Sequence, residues 1–128
     1  MFTLKQIDEI HDTFGKADTL SKYLQALNAL GIDTYDSYLT DGHSEYFGGS
    51  GEQLSSPPVH EIFMVAEKSN RERFLEHLEL HKQHKTSYLE MSKGLASSGI
   101  EKWTFDTEKM TITYYDRVGN TLLREVIK

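Results

Sequence analysis

Apolar positions return at helical spacing in four stretches of the chain. Leu4, Ile7, Ile10 or His11, and Phe14 share one face over 4–14, after Thr3 and Gln6 in a capping-box arrangement with Phe2 placed to staple onto Ile7. Gly15 is expected to end this helix. A second helix is predicted from an N-cap at Asp18, carrying Leu20, Tyr23, Leu24, Leu27 and Leu30 and stopped by Gly31. The third is expected to open at Ser69 with Glu72, to carry Phe74, Leu75 and Leu78, and to end before Thr86. Thr86 or Ser87, with Glu90, caps the fourth, which carries Tyr88, Met91, Leu95 and Ala96 and stops at Gly99.

Strand signals follow each helix pair. Positions 32–40 lead through Asp41-Gly42, a hairpin dipeptide, to 45–47. The run Ile62-Phe63-Met64-Val65-Ala66 predicts a buried strand over 61–67. In the second half, 100–106, 109–115 and 121–127 read as a meander turning near Thr107-Glu108 and at Val118-Gly119-Asn120. Met110, Ile112 and Tyr114 alternate with Thr111, Thr113 and Tyr115, so one sheet face is buried and the other partly wet. The Gly-, Ser- and Pro-rich stretch 48–58 reads as a mobile loop or lid.

The element order is the same in both halves, and "GIDTY" near residue 31 echoes "GIEKW" near residue 99. The expectation is a single α+β domain of two pseudo-repeated halves, 1–67 and 68–128, each a helix pair followed by an antiparallel meander, with helices packed on the sheet. The glycines lie 68 positions apart and Tyr23 and Tyr88 65 apart, which predicts an insertion of about one helical turn in the second copy. Neither half is large enough to close a core alone, so each would cover the other and leave a seam between them.

Composition narrows the function classes. A chain of 128 residues with 38% hydrophobic and 11% aromatic content can build a core without staples. There is no Cys, which excludes disulfides, thiolate metal sites and a Cys nucleophile and fits a cytoplasmic setting. The net charge of −6, with no basic stripe, disfavours nucleic acid and anionic membranes as partners. The first residues lack the layout of a signal peptide, and no apolar run approaches the ~18 residues of a spanning helix. "GGSG" lacks the Gly-Lys-Ser/Thr ending of a phosphate loop and the spacing of a serine nucleophile elbow.

The segments "GIEKW", "FDTEKMTITYYDRVGN" and "REVIK" resemble the C-terminal signature of a small bacterial and prophage-encoded family of unknown function, the YdfO/YbcV-like group, sometimes labelled "phage envelope protein". The matching positions are Gly99, Ile100, Trp103, Asp106, Met110, Thr111, Thr113, Tyr114, Tyr115, Asp116, Gly119 and Glu125. Tyr23, Leu30, Gly31, Tyr35, Asp41, Gly42, Tyr46 and Gly48 extend the likeness through the first half. The chain departs from the pattern at His81-Lys82-Gln83-His84, where the group often has His-Gln-x-Gly, and in having no Cys in the fourth helix. The resemblance implies no established activity.

Three constellations are candidates for chemistry. His77, His81 and His84 stand at i, i+4 and i+7, a spacing that can hold a metal, although Phe74 and Leu78 share the side of His81 and point to a core margin. Asp106, Asp116 and Glu125, with His81, are the candidate catalytic groups. Both aspartates flank turns, where Asp serves the local backbone. Tyr35, Tyr46, Trp103 and Tyr115 are the candidate ligand-binding residues, within a wider aromatic set that includes Tyr38, Phe105 and Tyr114. The preferred reading is a non-catalytic binding or regulatory module without cofactor, taking a small apolar or aromatic ligand or a protein partner in the seam. The alternatives are a metal-dependent or acid–base enzyme using His81, and a structural homodimer or larger homo-oligomer formed through exposed strand edges.

Overall fold

A computed structural model describes residues 2–14 and 19–128. The element order is α1 (Leu4–Phe14), α2 (Leu20–Leu30), β1 (Ile32–Tyr38), β2 (Ser44–Gly48), β3 (Gln53–Ser55), α3 (Arg71–Lys82), α4 (Tyr88–Ser97), β4 (Ile100–Asp106), β5 (Thr111–Asp116) and β6 (Thr121–Val126). The strands form one antiparallel sheet in the order β3-β2-β1-β4-β5-β6. The fold is α+β, with the helices layered on one sheet face. No helix among the described residues is long and apolar enough to cross a membrane.

Local chemistry accounts for most element ends. Gln6 N donates to Thr3 Oγ1 at 3.2 Å and Thr3 N donates to Gln6 Oε1 at 2.9 Å, the reciprocal cap the sequence predicts. Ser87 and Glu90 make the same box at α4. The ends expected at Gly15 and Asp18 lie outside the described residues. Gly31 closes α2 at φ +106°, and Gly99 follows α4 at φ +91°. The cap of α3 is Asn70, one residue later than expected: its side chain accepts from Arg73 N. Ser69 has a different task. Its backbone lies so close to Gly99 that a Cβ on that glycine would sit 2.5 Å from Ser69 Cα.

The central strands β1 and β4 pair through Thr34↔Asp106, Asp36↔Thr104 and Tyr38↔Lys102. Two further backbone bonds extend the join, Leu39 N to Glu101 O and Thr107 N to Asp33 O, both 2.9 Å. The core lies between this sheet and the helices. Leu24, Leu27, Phe74, Leu95, Ile32 and Ile100 are fully buried within it.

One strand is not where the apolar run places it. Residues 61–67 form no strand, and Ile62 and Met64 are 77% and 87% exposed. Gln53–Ser55 pairs with β2 instead, inside the stretch read from sequence as a mobile loop. The turn closed by Gly51 at φ +85° returns the chain beside β2, so that edge is already taken. The apolar run then crosses toward the second helix pair. Phe63 N bonds Thr40 O and Ala66 N bonds Ala96 O, and only Phe63 of the run is buried.

Candidate functional site

A cavity of about 600 Å³ opens between the helix layer and the central strands. The floor comes from β1, β2 and β4: Tyr35, Ser37, Ser44, Tyr46, Trp103 and Phe105. Alternation along the strands, together with the β1–β4 register, sets Tyr35 opposite Phe105 and Ser37 opposite Trp103 on the helix side. Tyr35 stacks between Tyr46, at 5.1 Å, and Phe105, at 4.9 Å. Rings standing side by side in this way cover one another's faces and leave edges and hydroxyl tips to the helix layer.

The helices supply the walls. Tyr23 of α2 meets Tyr35 edge to face at 6.2 Å, and His11 of α1 meets Tyr23 at 5.8 Å. Leu4, Ile7 and Asp8 line the α1 side, Leu20 the α2 side, and Tyr88, at the first turn of α4, the far side. Ser56, Pro57, Pro58 and Val59 border it where the chain leaves β3. Ser37 Oγ and Ser44 Oγ are 3.0 Å apart, and Ser56 Oγ accepts from Ser44 N at 2.8 Å. The indole N–H of Trp103 is buried with no hydrogen-bond partner among the described residues, so one donor on this wall is unused.

Four tyrosine hydroxyls share the space, and burial raises the pKa of each. Around Tyr23 the neighbouring Tyr46 adds to that effect; around Tyr35 both Tyr23 and Tyr46 do. Tyr46 and Tyr88 are raised by the same desolvation, each partly offset by a nearby serine. At neutral pH the tyrosines are therefore un-ionised phenols, able both to donate and to accept hydrogen bonds.

Of the aromatics singled out from sequence, Tyr35, Tyr46 and Trp103 line this cavity together. Tyr115 does not. It pairs with Lys102 on the opposite sheet face, where Lys102 Nζ lies 5.6 Å from the Tyr115 ring, 5.7 Å from the Tyr38 ring and 3.4 Å from Asp36 Oδ2. Tyr23 and Tyr88 are the residues that sequence reading left out. Their helical spacing marks them as core, and nothing in the periodicity shows that the two helix pairs stand apart above the sheet.

The histidines do not converge. Helix α3 ends at Lys82, and His84 takes a left-handed φ of +60°, so the i+7 position leaves the helical face. His81 Nδ1 lies 3.1 Å from Thr86 O, and the ring of His77 packs over Gly94, where a Cβ would come within 2.5 Å. Among the described residues no three His, Asp or Glu side chains gather as metal ligands do. The carboxylates are also separate. Asp106 Oδ1 accepts from Glu108 N and Lys109 N, and Glu125 Oε2 binds Lys82 Nζ at 2.8 Å. At Asp116 burial raises the carboxyl pKa, but hydrogen bonds from Asn120, Val118 and Gly119 outweigh it and hold the group below its ordinary value. Asp106 and Asp116 pair with opposite ends of the β4–β5 ladder, roughly 17 Å apart at 3.4 Å per residue. No acid–base pair forms between them.

The sequence profile of a family described as "Protein of unknown function (DUF1398)" matches residues 8–126. The chain belongs to that family. No curated protein matches it.

Proposed function

We propose that this protein is a non-catalytic binding module that takes a small ligand with an apolar or aromatic body in the cavity above β1 and β4. The observation that carries this reading is the convergence of Tyr23, Tyr35, Tyr46, Tyr88 and Trp103, from five separate elements, around about 600 Å³. That volume lies within the range of small-molecule sites, and a wall of rings with a few convergent hydroxyls is how such sites combine affinity with orientation.

The cavity lies along the seam of what we propose is an internal duplication. Left-handed backbone recurs at Gly31 and Gly99, at Gly42 and Met110, and at Gly51 and Gly119, each pair 68 positions apart. Helices α2 and α4 begin at Leu20 and Tyr88 with the same offset, so no inserted turn is needed. In this reading a pseudo-twofold axis passes between Asp36 and Thr104. The signature shared with the YdfO/YbcV-like group supports a prophage kinship in the same proposal.

The test uses the sole tryptophan, Trp103, as a probe. Indole analogues absorb where tryptophan does, so neutral 2-phenylethanol and cyclohexanol serve as titrants. The expected result is a saturable change in Trp103 emission with a rise in melting temperature, the latter reduced in Leu20→Trp, which places a larger side chain in the cavity wall. Melting temperature reads that variant, since its new indole adds emission of its own. Titrants that leave the wild type unchanged in both readouts would overturn the proposal.

A further inference from the structure

Among the described residues, the charge lining the cavity is of one sign. Among the described residues no Lys or Arg lines it, and its only carboxylate is Asp8, on the exposed face of α1 at the rim. His11, one turn along the same helix, is the other titratable rim group besides the tyrosines. Resting on the ligand-binding reading above, we infer that the site selects a cationic ligand, an amine on an apolar or aromatic body, with the ammonium at Asp8 and the Tyr23 and Tyr46 hydroxyls and the body against Trp103 and Phe105.

Three features support the assignment. Asp8 of α1, Tyr23 of α2 and Tyr46 of β2 line the same cavity, so carboxylate and phenols address a common space. Un-ionised phenol oxygens can accept from an ammonium, and an alkylammonium has up to three donors to distribute. An anionic ligand would meet a carboxylate with no cation among the described lining residues to offset it, inside a protein whose net charge is −6.

The experiment compares phenethylamine, 2-phenylethanol and phenylacetate, which share a ring and chain length and differ in charge. Calorimetry and protein NMR shifts are read at about pH 8, above the range in which imidazole titrates, and at low salt. The expected order is amine, then alcohol, then carboxylate. An amine preference of about tenfold over the alcohol is the scale of one charge pair at a partly screened rim. Asp8→Asn lowers amine binding more than alcohol binding and closes the gap between the two, while Asp8→Lys reverses the order of amine and carboxylate. Equal binding of amine and alcohol in the wild type, or tighter binding of phenylacetate, overturns the cation assignment and leaves the cavity reading intact. Binding of none of the three overturns both.

Discussion

Raising the pH above 10 should unfold this protein cooperatively, because its buried tyrosines resist ionisation. Tyr23, Tyr35, Tyr46 and Tyr114 are between 4% and 7% exposed. Burial is the largest cause of the upward pKa shift in each, reinforced by Tyr46 around Tyr23, by Tyr23 and Tyr46 around Tyr35, by Asp8 around Tyr46 and by Glu125 around Tyr114. In the unfolded chain a tyrosine titrates near 10. The folded protein therefore keeps protons that the unfolded chain releases, and stability falls with pH from that point upward. Below pH 10 both states are protonated and these groups add no pH dependence.

Each such group lowers stability by about 1.4 kcal/mol per pH unit, so four acting together give about 5–6 kcal/mol per unit. Against a typical total of roughly 5–15 kcal/mol, unfolding is expected one to three units above 10. The assay is tyrosinate absorbance followed alongside far-ultraviolet circular dichroism. Buried tyrosines should appear as tyrosinate in a steep step that coincides with loss of secondary structure. Tyr35→Phe should remove one group and lower the slope by about 1.4 kcal/mol per unit. A smooth titration of all seven tyrosines near pH 10 with unchanged dichroism would refute the reasoning.

Other substitutions separate structural from incidental contacts, read by urea denaturation. Met110 packs against the core and holds φ +56° where Gly42 holds +78°, so Met110→Gly and Met110→Ala both lose packing but only the glycine relieves left-handed strain. The glycine variant should be the more stable by about 1 kcal/mol, and equal losses would contradict the strain argument. Phe74→Ala should cost about 3–5 kcal/mol, since Phe74 is fully buried and packs on Tyr114 at 5.0 Å. Lys82→Ala should cost under about 1 kcal/mol, because Lys82 is exposed and its partner Glu125 is only partly buried, so water screens the pair. Asp116→Ala should cost about 1–3 kcal/mol by leaving the β5–β6 turn amides without their acceptor, and the difference from wild type should shrink as pH falls through the depressed carboxyl pKa.

Much of this architecture is written in local chemistry. The Thr3–Gln6 and Ser87–Glu90 boxes and the Asp41-Gly42 turn depend on neighbours within four positions, so the chain states them directly. The strand at 53–55 is not stated in that way. Gln53-Leu54-Ser55 has little strand propensity and pairs because the turn at Gly51 delivers it to the open side of β2. The converse holds at 61–67, where an apolar run has strand composition but no ladder to join. Asn70 and Ser69 are equally good caps by residue type, and the close approach of Gly99 to Ser69 decides between them.

The site was legible only in part, for a related reason. Alternation in β5 separates Tyr114 from Tyr115, and Tyr114 pairs with Trp103 on the helix side, so the signal that puts Tyr115 outside the cavity was present in the sequence. Tyr23 and Tyr88 gave no such signal, because a tyrosine on an apolar helical face reads as core whether it meets another helix or a hollow. That ambiguity makes the glycines a test of how the two helix pairs are held. Gly31 and Gly99 both have left-handed φ, but a Cβ at Gly31 meets nothing within 4 Å, whereas one at Gly99 meets the backbone of Lys68 and Ser69. Gly31→Ala should therefore cost only the conformational strain of about 1 kcal/mol. Gly99→Ala should cost that plus displacement of the segment leading into α3, about 2–4 kcal/mol in all. Equal losses in urea unfolding would mean that the chain before α3 yields freely, and the contact at Gly99 would then have no part in setting the second helix pair over the sheet.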